Sequence, residues 1–281
     1  MKYLITAFSC FVFLSNCTSN RTNYNNTTTN NLKKIEWNCN EYTTPEGVLS
    51  LQDEIYVFHS DNYTKLTIAN RSATTIASTP MLLQATAQEN QLLLLTTNAD
   101  YDNQVWQATK LDDKAATALP IVDAMDIGYS PIDKKLYWRA SNHLLWQYDF
   151  ATQKSTAVLP QSTFVSMTLS NNGKYLAMLK KGTNEFIVWD IAAAKIVSTY
   201  TDAMARLVGV GDNGNLLLIE QKVARKNTKG VLTTQIYKVE NNTPTTVLTT
   251  TGSWAKLLPN NQLLVWATRS KNEKVYQLFE L

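Results

Sequence analysis

The chain has 281 residues, 44% of them hydrophobic and 10% aromatic, enough to bury a substantial core as one large domain or two ordinary ones. Only 17% of residues are charged and the formal net charge is +3. So small an excess says little by itself about nucleic acid, for which a concentrated basic face would be needed, and no nucleic-acid partner is expected.

In chain order, Met1-Lys2 is a short positive region and Tyr3 to Leu14 an apolar run. That is signal-peptide length, too short to span a membrane comfortably. Leu14-Ser15-Asn16-Cys17 follows and resembles the bacterial lipobox, with Asn16 departing from the small residue usual before the cysteine. The resemblance implies a signal peptide over 1–16, cleavage before Cys17, and a lipid on Cys17 that attaches the protein to a membrane. Thr18 to Asn31 (TSNRTNYNNTTTNN) has almost nothing to bury and reads, within 17–32, as a disordered tether. A flexible coil of that length reaches roughly 20 Å. Thr18 is not the Asp that resembles an inner-membrane retention signal, so a bacterial envelope location is expected, the outer membrane ahead of the inner, facing the periplasm or the surface. Of three cysteines, Cys10 leaves with the signal and Cys17 carries lipid. Cys39 then stands alone, and no intramolecular disulfide is expected.

From residue 33 to 281 a unit recurs about every 41 residues, the period of a four-stranded propeller blade. Its first turn is Gln52-Asp53, Glu89-Asn90, Ile132-Asp133, Asn172-Gly173, Asn213-Gly214 and Asn260-Asn261. An apolar second strand follows each turn, as in Leu92 to Leu95, Tyr175 to Leu179 and Leu263 to Trp266. Such continuous hydrophobicity fits a strand packed on both faces. Third strands end on a bulky–polar–aliphatic motif: Leu66-Thr67-Ile68, Thr109-Lys110-Leu111, Tyr148-Asp149-Phe150, Trp189-Asp190-Ile191, Tyr237-Lys238-Val239 and Phe279-Glu280-Leu281. Outer strands follow in five copies, at Ala73 to Ile76, Ala115 to Leu119, Ser155 to Leu159, Lys195 to Tyr200 and Pro244 to Thr249. The sixth copy has none. Lys33 to Cys39 has strand character and belongs to no complete copy, so it is predicted to complete the last blade and remove an open ring edge. The fold class expected is all-β, a six-bladed β-propeller closed by its N-terminal strand.

Trp189-Asp190 with the upstream Asn-Gly turn resembles WD-repeat propellers, although no copy has a Gly-His dipeptide. Ser130-Pro131-Ile132-Asp133-Lys134 and Ser170-Asn171-Asn172-Gly173-Lys174 more closely resemble the Ser-Pro-(Asp/Asn)-Gly-Lys turns of bacterial periplasmic propellers such as the TolB propeller domain. The resemblance implies an interaction platform.

Catalytic and metal signatures are thin. His59 and His143 lack a second ligand at metal spacing. Asp100-Tyr101-Asp102-Asn103 lacks the glycine of a calcium loop and reads as a solvated hairpin tip. No nucleophile elbow, phosphate loop or dinucleotide fingerprint is present, and no cofactor or metal is expected. The innermost strands start at Val48, Leu82, Met125, Phe164, Ala205 and Ala255 and offer no ring of carboxylates, Asp126 and Arg206 being the nearest polar residues. This weighs against the alternative, a lactonase-like hydrolase with its site in the channel.

Loops between second and third strands share one face of a propeller. Those of blades four to six are basic: Lys180 and Lys181; Lys222, Arg225, Lys226 and Lys229; Arg269, Lys271 and Lys274. In blades one and two they carry Asp61, Asp100 and Asp102. The expectation is a monomeric, non-catalytic scaffold with a polarised face that binds a protein or an anionic envelope component.

Overall fold

The computed structural model describes residues 32, 34–39, 43–59, 61–78, 81–98, 100, 102–223, 232–270 and 273–281, with backbone alone for 39, 222, 223, 232, 269 and 270. The predicted signal peptide, Cys17 and the tether lie outside these residues apart from Leu32, which is partly buried against the blade 5–6 cluster. Every sheet is a four-stranded antiparallel blade, and there are six.

The first strand, β1 (Lys34–Cys39), belongs to the last blade. Blade 1 comprises β2 (Gly47–Leu51), β3 (Glu54–Phe58), β4 (Asn62–Thr67) and β5 (Ser72–Ala77). Blade 2 comprises β6 (Met81–Gln88), β7 (Gln91–Thr97), β8 (Asn103–Ala108) and β9 (Thr117–Val122). In blade 3 these are β10 (Ala124–Ser130), β11 (Lys135–Ala140), β12 (Leu145–Asp149) and β13 (Lys154–Val158). Blade 4 has β14 (Phe164–Leu169), β15 (Tyr175–Lys180), β16 (Glu185–Asp190) and β17 (Lys195–Thr201). Blade 5 has β18 (Ala205–Val210), β19 (Leu216–Val223), β20 (Leu232–Glu240) and β21 (Thr243–Thr250). Blade 6 runs β22 (Gly252–Leu258), β23 (Gln262–Ser270), β24 (Glu273–Glu280) and then β1, in the order β22-β23-β24-β1. Lys34 pairs with Phe279 and Trp37 with Tyr276, so the predicted closure holds.

Packing between blades makes the ring. Second strands are apolar on both sides because alternate residues face different neighbours. Leu92 and Leu94 pack with Leu49 and Phe58 of blade 1, whereas Leu93 and Leu95 pack with Ile127 and Trp138 of blade 3. The pattern continues through Tyr137 with Met178, Ala177 with Leu218, and Ile219 with Leu263. It returns to its start where Trp37, Trp266 and Tyr276 of blade 6 meet Ile55 and Leu66 of blade 1. Each fully buried aliphatic side chain contributes about 1.5–3 kcal/mol. Innermost strands approach so closely that a Cβ on Gly209 would lie 2.5 Å from Leu257 Cβ.

Five of the predicted first turns adopt the left-handed conformation they need, at Gln52, Glu89, Gly173, Gly214, Asn260 and Asn261, whereas in blade 3 it falls just past Ile132-Asp133, on Lys134. The turns at 130–134 and 170–174 also link blades: Ser130 Oγ donates to Gly173 O at 2.9 Å, and Asn172 N to Asp212 Oδ1 at 2.9 Å.

Blade 2 departs from expectation. Its third strand ends at Ala108, so Thr109-Lys110-Leu111 falls in a loop, and the outer strand begins at Thr117 rather than Ala115. The cause is Asp113, whose carboxylate accepts from Thr109 N, Thr109 Oγ1 and Ala115 N at 2.7–2.9 Å, offering the backbone a turn instead of a ladder.

Candidate functional site: the loop face and the channel

Antiparallel pairing puts two sets of connections on one side of the disc: those between second and third strands, and those leading from one blade to the next. This side is the loop face. The opposite side carries the first turns and also the start of β1, because Lys34 pairs with Phe279 at the far end of β24.

Sequence reasoning placed nine basic residues in loops on this face, and the ladders run further than expected. Lys180 ends β15, Lys222 pairs with Thr233 inside the β19–β20 ladder, and Arg269 and Lys274 lie in β23 and β24. The strand-forming residues Thr233 and Thr234 sustain that extension of blade 5. Lys181 is in the loop, its N–H donating to Thr163 O at 2.8 Å. Lys180 Nζ pairs with Glu185 at 3.5 Å; Lys274 Nζ donates to Thr268 Oγ1 at 2.8 Å and sits 4.5 Å from the Trp266 ring centroid. Arg225, Lys226, Lys229 and Lys271 lie outside the described residues, as do the side chains of Lys222 and Arg269. On the acidic sector, Asp61 accepts from Asn62 Nδ2 at 3.0 Å, and the backbone N–H groups of Asp100 and Asp102 both donate to Asn98 Oδ1 at 2.9 Å.

The histidines are structural. His59 is fully buried, its Nε2 hydrogen-bonded to the Tyr276 hydroxyl at 2.7 Å across the seam between blades 1 and 6. His143 Nδ1 lies 3.2 Å from Phe164 O.

Exposed apolar residues on the loop face escaped the sequence reading. Val122 (65% exposed), Met125 (45%), Val165 (39%) and Met204 (65%) all sit where one blade passes to the next. Their only sequence signal is an apolar residue beside an inner-strand start. A bulge accounts for two of them: register shifts between Ala124 and Asp126 and between Phe164 and Ser166 leave Met125 and Val165 outside the ladder.

The channel wall follows from register. Residues paired to Leu95, Arg139, Leu179, Ile219 and Trp266 are Gln84, Asp126, Ser166, Arg206 and Trp254. One layer deeper, partners of Leu93, Tyr137, Ala177, Leu217 and Leu264 are Thr86, Gly128, Thr168, Gly209 and Lys256. Arg139 Nε donates to Asp126 Oδ2 at 2.6 Å, and Lys256 Nζ, from blade 6, donates to Thr168 Oγ1 of blade 4 at 3.1 Å. Below them Asn171 Nδ2 donates to Leu258 O at 3.0 Å, tying the same two blades again. Burial holds the Lys256 ammonium below the ordinary lysine range, with Asp126 pulling the other way. Among the described residues no three of His, Cys, Asp and Glu come together.

A lateral groove of about 620 Å³ separates blades 1 and 2, lined by Tyr63, Ile76, Leu82, Leu94, Trp106 and Leu111. Trp106 Nε1 donates to Thr96 Oγ1 at 3.0 Å, which fixes the indole.

No protein-family model and no curated protein matches the chain. Solved structures do. A luciferin-regenerating enzyme superposes with a TM-score of 0.58 at 12% identity, covering 88% of this chain and 95% of its own. The β-propeller domain of the Trilobed protease from Pyrococcus furiosus gives 0.52 at 14%, covering 71% and 68%; an oligogalacturonate lyase in complex with manganese gives 0.52 at 12%, covering 82% and 74%. At these identities the likeness is one of fold. The Pyrococcus domain is described as having an open velcro topology, whereas here β1 fills the last blade. The protein is a six-bladed β-propeller, a class whose similar structures include enzymes.

Proposed function

We propose that this propeller is a non-catalytic, lipid-anchored platform of a bacterial envelope that docks an anionic protein or envelope polymer on its loop face. The observation that carries the reading is the exposure of Val122, Met125, Val165 and Met204 at the blade 2–3, 3–4 and 4–5 passages, on the face where the sequence places the basic loops. Exposed apolar side chains next to charge of one sign suit a partner with an apolar centre and an acidic rim. A lipid on Cys17 agrees with this geometry. The chain reaches β1 from the side opposite the loops, so a tether there leaves the loop face turned away from the membrane.

Cross-linking in intact cells followed by mass spectrometry tests the reading, with wild type compared to a variant carrying Glu at Lys181, Lys222, Arg225, Lys226 and Lys229. A partner lost from the variant and released by salt supports the platform. Partners captured equally by both proteins, at low and high salt, would remove it. The rival reading, a hydrolase acting in the channel, draws on the depressed basicity of Lys256; turnover of an ester or lactone panel that vanishes in Lys256→Met would establish it.

A further inference from the structure

Two layers of the channel wall carry more positive charge than negative. Arg206 of blade 5 shares its layer with Asp126 of blade 3, and Lys256 of blade 6 lies one layer deeper. Arg139 adds a third cation on the wall and engages the single carboxylate at 2.6 Å. The other channel-side residues of these layers are neutral: Gln84, Ser166 and Trp254 above, Thr86, Gly128, Thr168 and Gly209 below. Arg139 and Asp126 offset one another, which leaves Lys256 within the channel and Arg206 exposed at its loop-face mouth.

The arrangement has a floor and a mouth. Lys256 Nζ crosses to Thr168 Oγ1 at 3.1 Å, and Asn171 Nδ2 reaches Leu258 O at 3.0 Å nearer the opposite face. Blades 4 and 6 are thus joined at two depths past blade 5, leaving the upper layer accessible from the loop face, where Arg206 is exposed. Threonine or glycine stands at the Lys256 level in blades 2 to 5, so the fold itself does not require an ammonium there. Burying one without a full counter-charge costs stability, which points to use.

We propose that the loop-face half of the channel is a binding site for a small dianion, a phosphate monoester or a dicarboxylate, seated on the Lys256 ammonium and the Thr168 hydroxyl and closed over by Arg206. Asp126 holds Arg139 in place and sets a limit on the charge accepted. The site is independent of the partner-binding reading: none of its residues belongs to the basic sector of the loops.

Calorimetric titration of the full chain in detergent with inorganic phosphate and, separately, with succinate tests this. Saturable binding of at least one is expected, weakened at least about tenfold in Lys256→Met, several-fold in Arg206→Ala, and unchanged in the Lys181/Lys222/Arg225/Lys226/Lys229 charge-reversal variant. Phosphate alone would assign phosphate monoesters, succinate alone dicarboxylates. Arg206→Ala alters an exposed side chain, so its loss of binding is not a loss of fold. Absence of saturable binding of both probes to wild type, or binding that survives in Lys256→Met, would overturn the proposal.

Discussion

Trp37 stands directly opposite Tyr276 across the β1–β24 ladder, and Tyr276 in turn is hydrogen-bonded at 2.7 Å to His59 of the first blade. One short strand therefore completes the last blade, while its partner strand grips the first blade, its neighbour around the ring. Ring closure is a side-chain contact network as well as a backbone ladder.

Trp37 is 2% exposed and packs among Ile55, Leu66 and Tyr276. Trp37→Ala is expected to cost about 3–5 kcal/mol, read as a lower urea midpoint. Ile196→Ala, on the exposed outer edge of blade 4, should stay within about 0.5 kcal/mol. Equal effects would mean that closure adds nothing.

Gly209 faces Leu257 with room for no side chain, since a Cβ would come within 2.5 Å of Leu257 Cβ. Gly209→Ala should destabilise by about 1–3 kcal/mol, and removing the opposing Cβ in Gly209→Ala/Leu257→Gly should recover part of the effect of the glycine change. A double-mutant cycle without coupling would contradict the close approach of the two inner strands.

Glu54 is held below the ordinary glutamate value by its hydrogen bond to Lys65 and then by that from the Tyr56 hydroxyl. A depressed folded pKa gives stability that is complete above the unfolded value of 4.5 and disappears as pH falls through the folded one. Urea midpoints of wild type should thus fall more steeply in acid than those of Glu54→Gln, the curves converging below the folded value.

Lys256 works in the other sense. Burial lowers its pKa from 10.5, so the native state is penalised for the proton and stability rises as pH climbs from the folded value towards 10.5. Lys256→Met should abolish that rise and stabilise the protein near neutrality by on the order of 1 kcal/mol. A lower melting temperature for the variant at neutral pH would show that the ammonium is a structural tie.

Much of this fold is legible without coordinates because a blade is a local object. Asn172-Gly173 and Asn213-Gly214 supply the positive φ of their turns, and the unbroken apolar run Leu92 to Leu95 announces a strand packed on two sides. Lys33 to Cys39 could be assigned by counting strands, since β24 otherwise lacks an outer neighbour. Local reading failed where one side chain rewrote the backbone, as Asp113 does in blade 2. It failed again at hairpin ends, where Lys222 was expected in a loop and is found in a ladder.

By itself, then, the sequence determined the number of blades, the turns, and which strand completes the ring, all set by short-range periodicity and by the need to pair every strand edge. Tertiary structure alone decided which inner-strand residues share a level. Asp126, Arg206 and Lys256 are scattered through the chain as isolated charges, and bulges displace the register near the start of the inner strand in blades 3 and 4 but further along it in blade 5. Only closing the ring puts them around a common axis, because their proximity comes from the packing of blades against one another and not from any contact close in sequence.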